Sequence, residues 1–171
     1  MKLNREAMRS YLDVKMTSKA SDAAQAEWEV LGDDITDMSV ELNSEVEQTK
    51  NILGQTKTTD NGYTPSMDAD PFYADPEKKI YPVMRDIALE RKTGDECKTL
   101  MLEVIVEDTS AANHLAFVRE VLVKPTSYGG DATYVNIPFN VSEDGAFVKG
   151  YVSKTSLESG TPTFTSGNIP A

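Results

Sequence analysis

At 171 residues, with 39% hydrophobic and 26% charged side chains, the chain has the size and composition of one globular domain that needs no metal or disulfide to hold a core. Its formal charge of −11 excludes a protein that gains affinity by neutralising nucleic-acid phosphates. A single cysteine, Cys97, excludes an intrachain disulfide and a thiolate zinc site, and fits a reducing compartment.

The N-terminal MKLNREAMRSYLDV lacks the apolar run of a signal peptide, and about 18 consecutive apolar residues occur nowhere. A soluble chain made in the cytoplasm, with no membrane partner, is expected. Strand periodicity begins at 11–16, YLDVKM, where Leu12, Val14 and Met16 share a face. Trp28, Val30 and Ile35 mark a second short segment. The clearest alternation is DMSVELNSEVEQT, 37–49. Met38, Val40, Leu42 and Val46 point one way; Asp37, Ser39, Glu41, Asn43, Glu45 and Glu47 point the other. One core face and one strongly acidic face are expected.

Residues 50–71 are polar and Thr-rich on both sides of Asp60-Asn61-Gly62. Asn-Gly tolerates the positive φ angles of a type I′ turn, so a hairpin arm over about 50–70 is predicted with its turn there. With few apolar residues, such an arm is marginal alone and needs a partner surface. Asp75-Pro76-Glu77 reads as a helix start, and Ile80, Val83, Met84, Ile87 and Ala88 keep helical spacing, which gives a helix over about 76–92. Pro82 disturbs this, so either the first turn is separate or the helix starts near Tyr81. In 97–108, Leu100, Leu102 and Val104 face away from Thr99, Met101 and Ile105, and the second face is half apolar. Further strands are predicted over 115–124, 134–140 and 146–153, the last two around a turn at Glu143-Asp144-Gly145. The expected fold is mainly β (α+β), a sandwich or barrel over 1–155 with one flanking helix, followed by a flexible or docked arm over 156–171.

Chemical signals are weak. Asp68, Asp70 and Asp75 invite a calcium loop, but Pro71 and Phe72 interrupt the required pattern, and a turn followed by a helix cap accounts for them. Glu45 and Glu47 sit on a solvated face rather than in an acid–base pair. His114 lacks a Gly-flanked serine and reads as a surface or turn residue. Cys97, beside Asp95 and Glu96, reads as a structural thiol. Gly129-Gly130 lacks the Lys-Ser/Thr of a phosphate loop. No enzyme, cofactor or metal site is expected.

The stretch TKNILGQTKTTDNGYTPSMDADPFYADPEKKIYPVMRDIALERKTGDECKTLMLEVIVED resembles the major tail (tail tube) proteins of tailed phages, siphophage-like and of Gram-positive hosts. In that family a strand leads into an N-x-L-G stretch, a protruding hairpin, an aromatic DPYYA-type segment, one helix and a strand pair. The resemblance spans about 11–153. It implies a tail-tube-type β-sandwich or barrel, residues 51–70 as the protruding arm, and residues 76–92 as the flanking helix. It also implies a virion subunit assembled in the host cytoplasm, whose six-membered rings stack into a channel for DNA. Partners are further copies, a tape-measure protein, baseplate or distal tail proteins and a tail terminator. Combined with the charge pattern, it makes Asp37, Glu41, Glu45 and Glu47 candidates for a lumen that passes DNA without binding it, and six copies of −11 carry −66. Ile52, Leu53, Asp60, Asn61, Gly62, Tyr63, Phe72, Tyr73, Met101 and Ile105 become candidate contacts between subunits or rings, with Phe72 and Tyr73, where the arm rejoins the body, anchoring it to the core or to the next subunit. The alternatives are the tube of a contractile or secretion device, and a ligand-binding β-sandwich with Trp28, Tyr63, Phe72 and Tyr73 as its platform.

Overall fold

The computed structural model describes residues 1–171. Its strands begin with β1 (Met8–Asp13), β2 (Trp28–Leu31), β3 (Val40–Glu41), β4 (Ser44–Lys50), β5 (Thr56–Tyr63) and β6 (Ser66–Ala69). Helix α1 (Ile80–Leu89) then leads to β7 (Lys98–Ile105), β8 (Asn113–Pro125), β9 (Gly129–Gly130), β10 (Val135–Asn136) and β11 (Phe139–Ser153), and the chain ends with α2 (Lys154–Glu158) and β12 (Phe164–Ser166). One curled antiparallel sheet runs β2-β1-β7-β8-β11-β6-β3, with β12 also on β11; β9–β10 and β4–β5 form ladders of their own. The fold is mainly β.

The central strand β7 explains why its sequence is apolar on both faces. Leu100, Leu102 and Val104 pack with Trp28, Ala116, Val118 and Leu157 on one side of the sheet. Met101 packs on the other, with Leu12, Val121, Phe139 and Ile80, Met84 and Ile87 of α1. A sheet covered on both faces requires this two-sided pattern. Met101 is therefore fully buried, and its assignment to a subunit contact is wrong.

β1 begins three residues before the predicted segment and stops at Asp13, because Asp13 turns the chain. Its buried carboxylate accepts the backbone N–H groups of Lys15 (2.9 Å), Thr17 (2.8 Å) and Glu27 (3.0 Å), and Met16 takes φ 57°. Val14 and Met16 still pack on the core, but from a turn. In β2, Trp28 and Leu31 are buried while Val30 is exposed, and Ile35 lies beyond the strand.

α1 is shorter than predicted. Asp75 organises a separate preceding turn, accepting from Glu77 N–H at 3.0 Å. The helix itself is capped from a distance: Glu29 of β2 accepts the N–H groups of Lys79 (2.7 Å) and Ile80 (3.3 Å). An acid at this end also meets the positive end of the helix dipole. Pro82 falls in the first turn, where its missing N–H has no helical partner to lose.

Where a turn at 143–145 was predicted, β11 runs through. A bulge between Glu143 and Phe147 absorbs the extra residues, with Gly145 at φ 88°. The C-terminal segment is docked: Ser153 caps α2 through Ser156 N–H (3.2 Å), Leu157 enters the core, and β12 pairs with β11.

Candidate assembly surface

One long hairpin stands apart from the main sheet. β4 and β5 pair with each other, join no other strand, and are exposed along their length apart from the partly covered Gly62. A long polar hairpin exists as expected, but its position and turn differ. It spans 44–63 rather than 50–70, and it reverses at Ile52-Leu53-Gly54, not at Asn61-Gly62. The reason is Asn51. Its Oδ1 accepts the N–H groups of Leu53 and Gln55 (both 3.0 Å), its Nδ2 donates to Gln55 Oε1 (2.8 Å), and Gly54 adopts φ 76°. This is a three-residue hairpin loop closed by a left-handed glycine.

Asn61-Gly62 instead forms a bulge. Ser44 faces Tyr63 and Val46 faces Asp60, so Asn61 and Gly62 together oppose Glu45 alone. Gly62 takes φ 87°, and its N–H donates to Asp60 Oδ1 at 2.9 Å rather than to the ladder. At the root, Asn43 (φ 47°) breaks what the sequence presented as one strand over 37–49. Its Nδ2 donates to Thr64 O (3.0 Å), while Thr64 N–H donates to Leu42 O (3.2 Å). Met38 and Val40 therefore serve the body, whereas Leu42 and Val46 are more than half exposed.

This break scatters the four lumen candidates. Asp37 lies in a loop, Glu41 on the edge strand β3, and Glu45 and Glu47 on the arm. All four are exposed, but no single strand face carries them. Among the contact candidates, Ile52, Leu53, Asp60, Asn61 and Tyr63 are exposed on the arm. Ile105 is partly exposed at the end of β7.

Phe72 is buried against Phe139, ring centroids 5.4 Å apart, so it anchors the segment after the arm to the core and not to a neighbouring subunit. Tyr73 packs against Tyr134 with the rings tilted by 56° and their centroids 5.2 Å apart. Trp28 and Phe72 are both buried, so the proposed aromatic platform with Tyr63 and Tyr73 does not form. Asp68 and Asp70 accept from Asn140 (2.8 Å) and Asn136 (3.4 Å), fastening β6 and the next residues to neighbouring strands. Nowhere do three His, Cys, Asp or Glu side chains gather in metal-binding geometry.

Sequence reasoning missed the cleft beside the arm root. It measures about 590 Å³ and is lined by Met8, Met38, Leu42 and Tyr63, with Arg5 on one wall and a Glu103–Arg119–Glu143 cluster on the other. Arg119 pairs with Glu103 at 2.9 Å and Glu143 at 3.7 Å, and its guanidinium lies 5.2 Å from the Phe117 ring centre and 5.3 Å from that of Phe147. Arg5 instead donates to the carbonyl of Met38. The spacing of Glu103 and Arg119 in the sequence gives no sign that they meet; only the β7–β8 register brings them together. Burial pushes the Glu143 carboxyl above its ordinary value, with the negative charge of Glu103 adding to it and Arg119 opposing. The folded state then holds this proton more tightly than the unfolded chain. Stability from it is fully present below the ordinary carboxylate range and is lost as the pH rises through the folded value. Glu143→Gln is thus expected to raise the urea midpoint at neutral pH, and the gain should disappear on acidification. An unchanged or lower midpoint at neutral pH would show that the Arg119 contact outweighs burial.

His114 is not at the surface: it lies buried in β8, and burial holds its imidazole below the usual range. Cys97 is fully buried, its thiol donating to Lys92 O at 3.3 Å.

No protein-family model matches the chain, and no curated protein shows significant similarity to it.

Proposed function

We propose that the chain is a self-assembling structural subunit, a phage tail tube protein whose rings stack into a channel for DNA delivery. The observation that carries this reading is the arm: a hairpin with no partner in its own body, with Ile52 and Leu53 held outward at its tip. A two-stranded hairpin is at best marginally stable alone, so one this exposed is best explained by a surface on another molecule. The mainly β fold, the flanking helix and the sequence resemblance support the same reading, and the strong negative charge suits a tube that must not retain DNA. Partners are further copies, with tape-measure, baseplate and terminator proteins at the ends. The place of action is the virion tail, after assembly in the host cytoplasm.

Negative-stain electron microscopy of the concentrated purified chain is the test. Rings or hollow tubes are the expected result; a chain that stays monomeric at every concentration overturns the reading.

A further inference from the structure

The Asn61-Gly62 pair does not make the hairpin turn, and nothing in the proposed function requires an asparagine there. Its surroundings suit a different chemistry. Asn61 is exposed, and the residue after it has no side chain to shield its backbone nitrogen. That nitrogen is outside the strand ladder, and its N–H points at Asp60 Oδ1, 2.9 Å away. Both strands of the arm pair with no strand outside it and, apart from the partly covered Gly62, are exposed along their length. No other asparagine precedes a glycine: Asn4, Asn43 and Asn113 precede arginine, serine and histidine. Asn51, Asn136 and Asn168 precede isoleucine and Asn140 precedes valine, whose branched side chains crowd the attacking nitrogen. The Nδ2 groups of Asn136 and Asn140 also donate to Asp70 and Asp68.

We propose that Asn61-Gly62 is a self-modification site, where Asn61 closes to a succinimide on Gly62 N and opens to aspartate and isoaspartate, with Asp60 relaying the proton. The lone pair of Gly62 N attacks Asn61 Cγ and forms a C–N bond. The amide proton passes to the Asp60 carboxylate, which returns it to the departing Nδ2. The Cγ–Nδ2 bond breaks and ammonia leaves. Water then adds to either ring carbonyl, giving aspartate when it opens on the Cγ side and isoaspartate when it opens on the backbone side. No oxidant or cofactor is needed, and Asp60 is regenerated. The product adds one negative charge, taking the chain from −11 to −12. The isoaspartate form also places an extra backbone atom in β5, opposite Glu45.

The full chain, incubated at neutral pH and physiological temperature in ¹⁸O-labelled water, is analysed by peptide mapping that separates the two isomers. Label should enter the Asn61 peptide well before any other asparagine peptide, in both isomers. Asp60→Asn keeps a hydrogen-bond acceptor but removes the base, and should slow conversion by about tenfold or more. Gly62→Ala should slow it comparably, because its methyl group hinders the approach that brings nitrogen to carbon. Should that variant distort the arm, Asp60→Asn alone decides. An unmodified Asn61 in the folded chain, or label spread evenly over all asparagines, overturns the site. An unchanged rate in Asp60→Asn overturns the relay. Because the readout is mass on the monomer, neither result depends on whether tubes form.

Discussion

A chain lacking residues 45–62, with Ser44 joined to Tyr63 through an Asn-Gly turn, is expected to fold as well as its parent and to form no tubes. Nothing in the arm contributes to either core cluster, and its strands share no ladder with the main sheet. Its removal should change the free energy of unfolding by no more than about 0.5 kcal/mol, as for other surface changes away from packed features. Assembly should be lost entirely, since the deletion removes Ile52, Leu53 and the exposed β4–β5 ladder. The boundaries matter. A cut placed further along, over 55–67, would take Ser66 and Met67 out of β6. Met67 pairs with Val40 and Val141 and is buried, so the body itself would fail. Urea denaturation and electron microscopy on the same sample check both halves of the expectation. Tubes formed by the armless chain would remove the arm from assembly.

Asp13→Ala is expected to be among the most damaging single substitutions. It deletes one acceptor group that satisfies three backbone N–H groups at once, at a site 1% exposed. Donors stripped of a buried partner lose their share of the hydrogen bonding without regaining water, so a loss of about 3 kcal/mol is expected. Two segments depend on it, because the same carboxylate holds the turn after β1 and the chain entering β2. Asp13→Asn, which keeps an acceptor oxygen but not the charge, should lose less. Equilibrium unfolding in urea measures both variants. A cost for the alanine variant no greater than that of an ordinary surface change would mean that water takes over all three donors.

What the sequence conveyed depended on whether a residue's partner was local. β8 was legible because burial repeats every second residue, β7 because its apolar residues are β-branched or large and fall on both faces of a short run, and α1 because its apolar residues keep helical spacing. The mainly β fold followed from them. The errors arose where one side chain overrides a pattern. Residues 37–49 alternate cleanly, yet Asn43 turns the chain, so half of the alternation belongs to the body and half to solvent. Asn51 and Asn61 both had turn chemistry available, and the hairpin closes at the one whose side chain can bridge to Gln55. Asp13 and Glu29 act on residues far along the chain or in another element, which no local pattern reveals. The arm was therefore foreseen as a feature but misplaced by several residues, and the grouping of acidic residues into one face was lost with the strand that carried it.

The Asn51 loop has a consequence for the energetics of association. A flexible tip would have to surrender its backbone freedom on meeting a partner, about 1–2 kcal/mol for every residue that becomes fixed. Here the loop is already fixed by three hydrogen bonds from a single side chain, so Ile52 and Leu53 are presented in one arrangement before any encounter. What is still to be lost is the side-chain freedom of Ile52 and Leu53 and the rigid-body freedom of the two molecules, and the loop can engage without first rearranging.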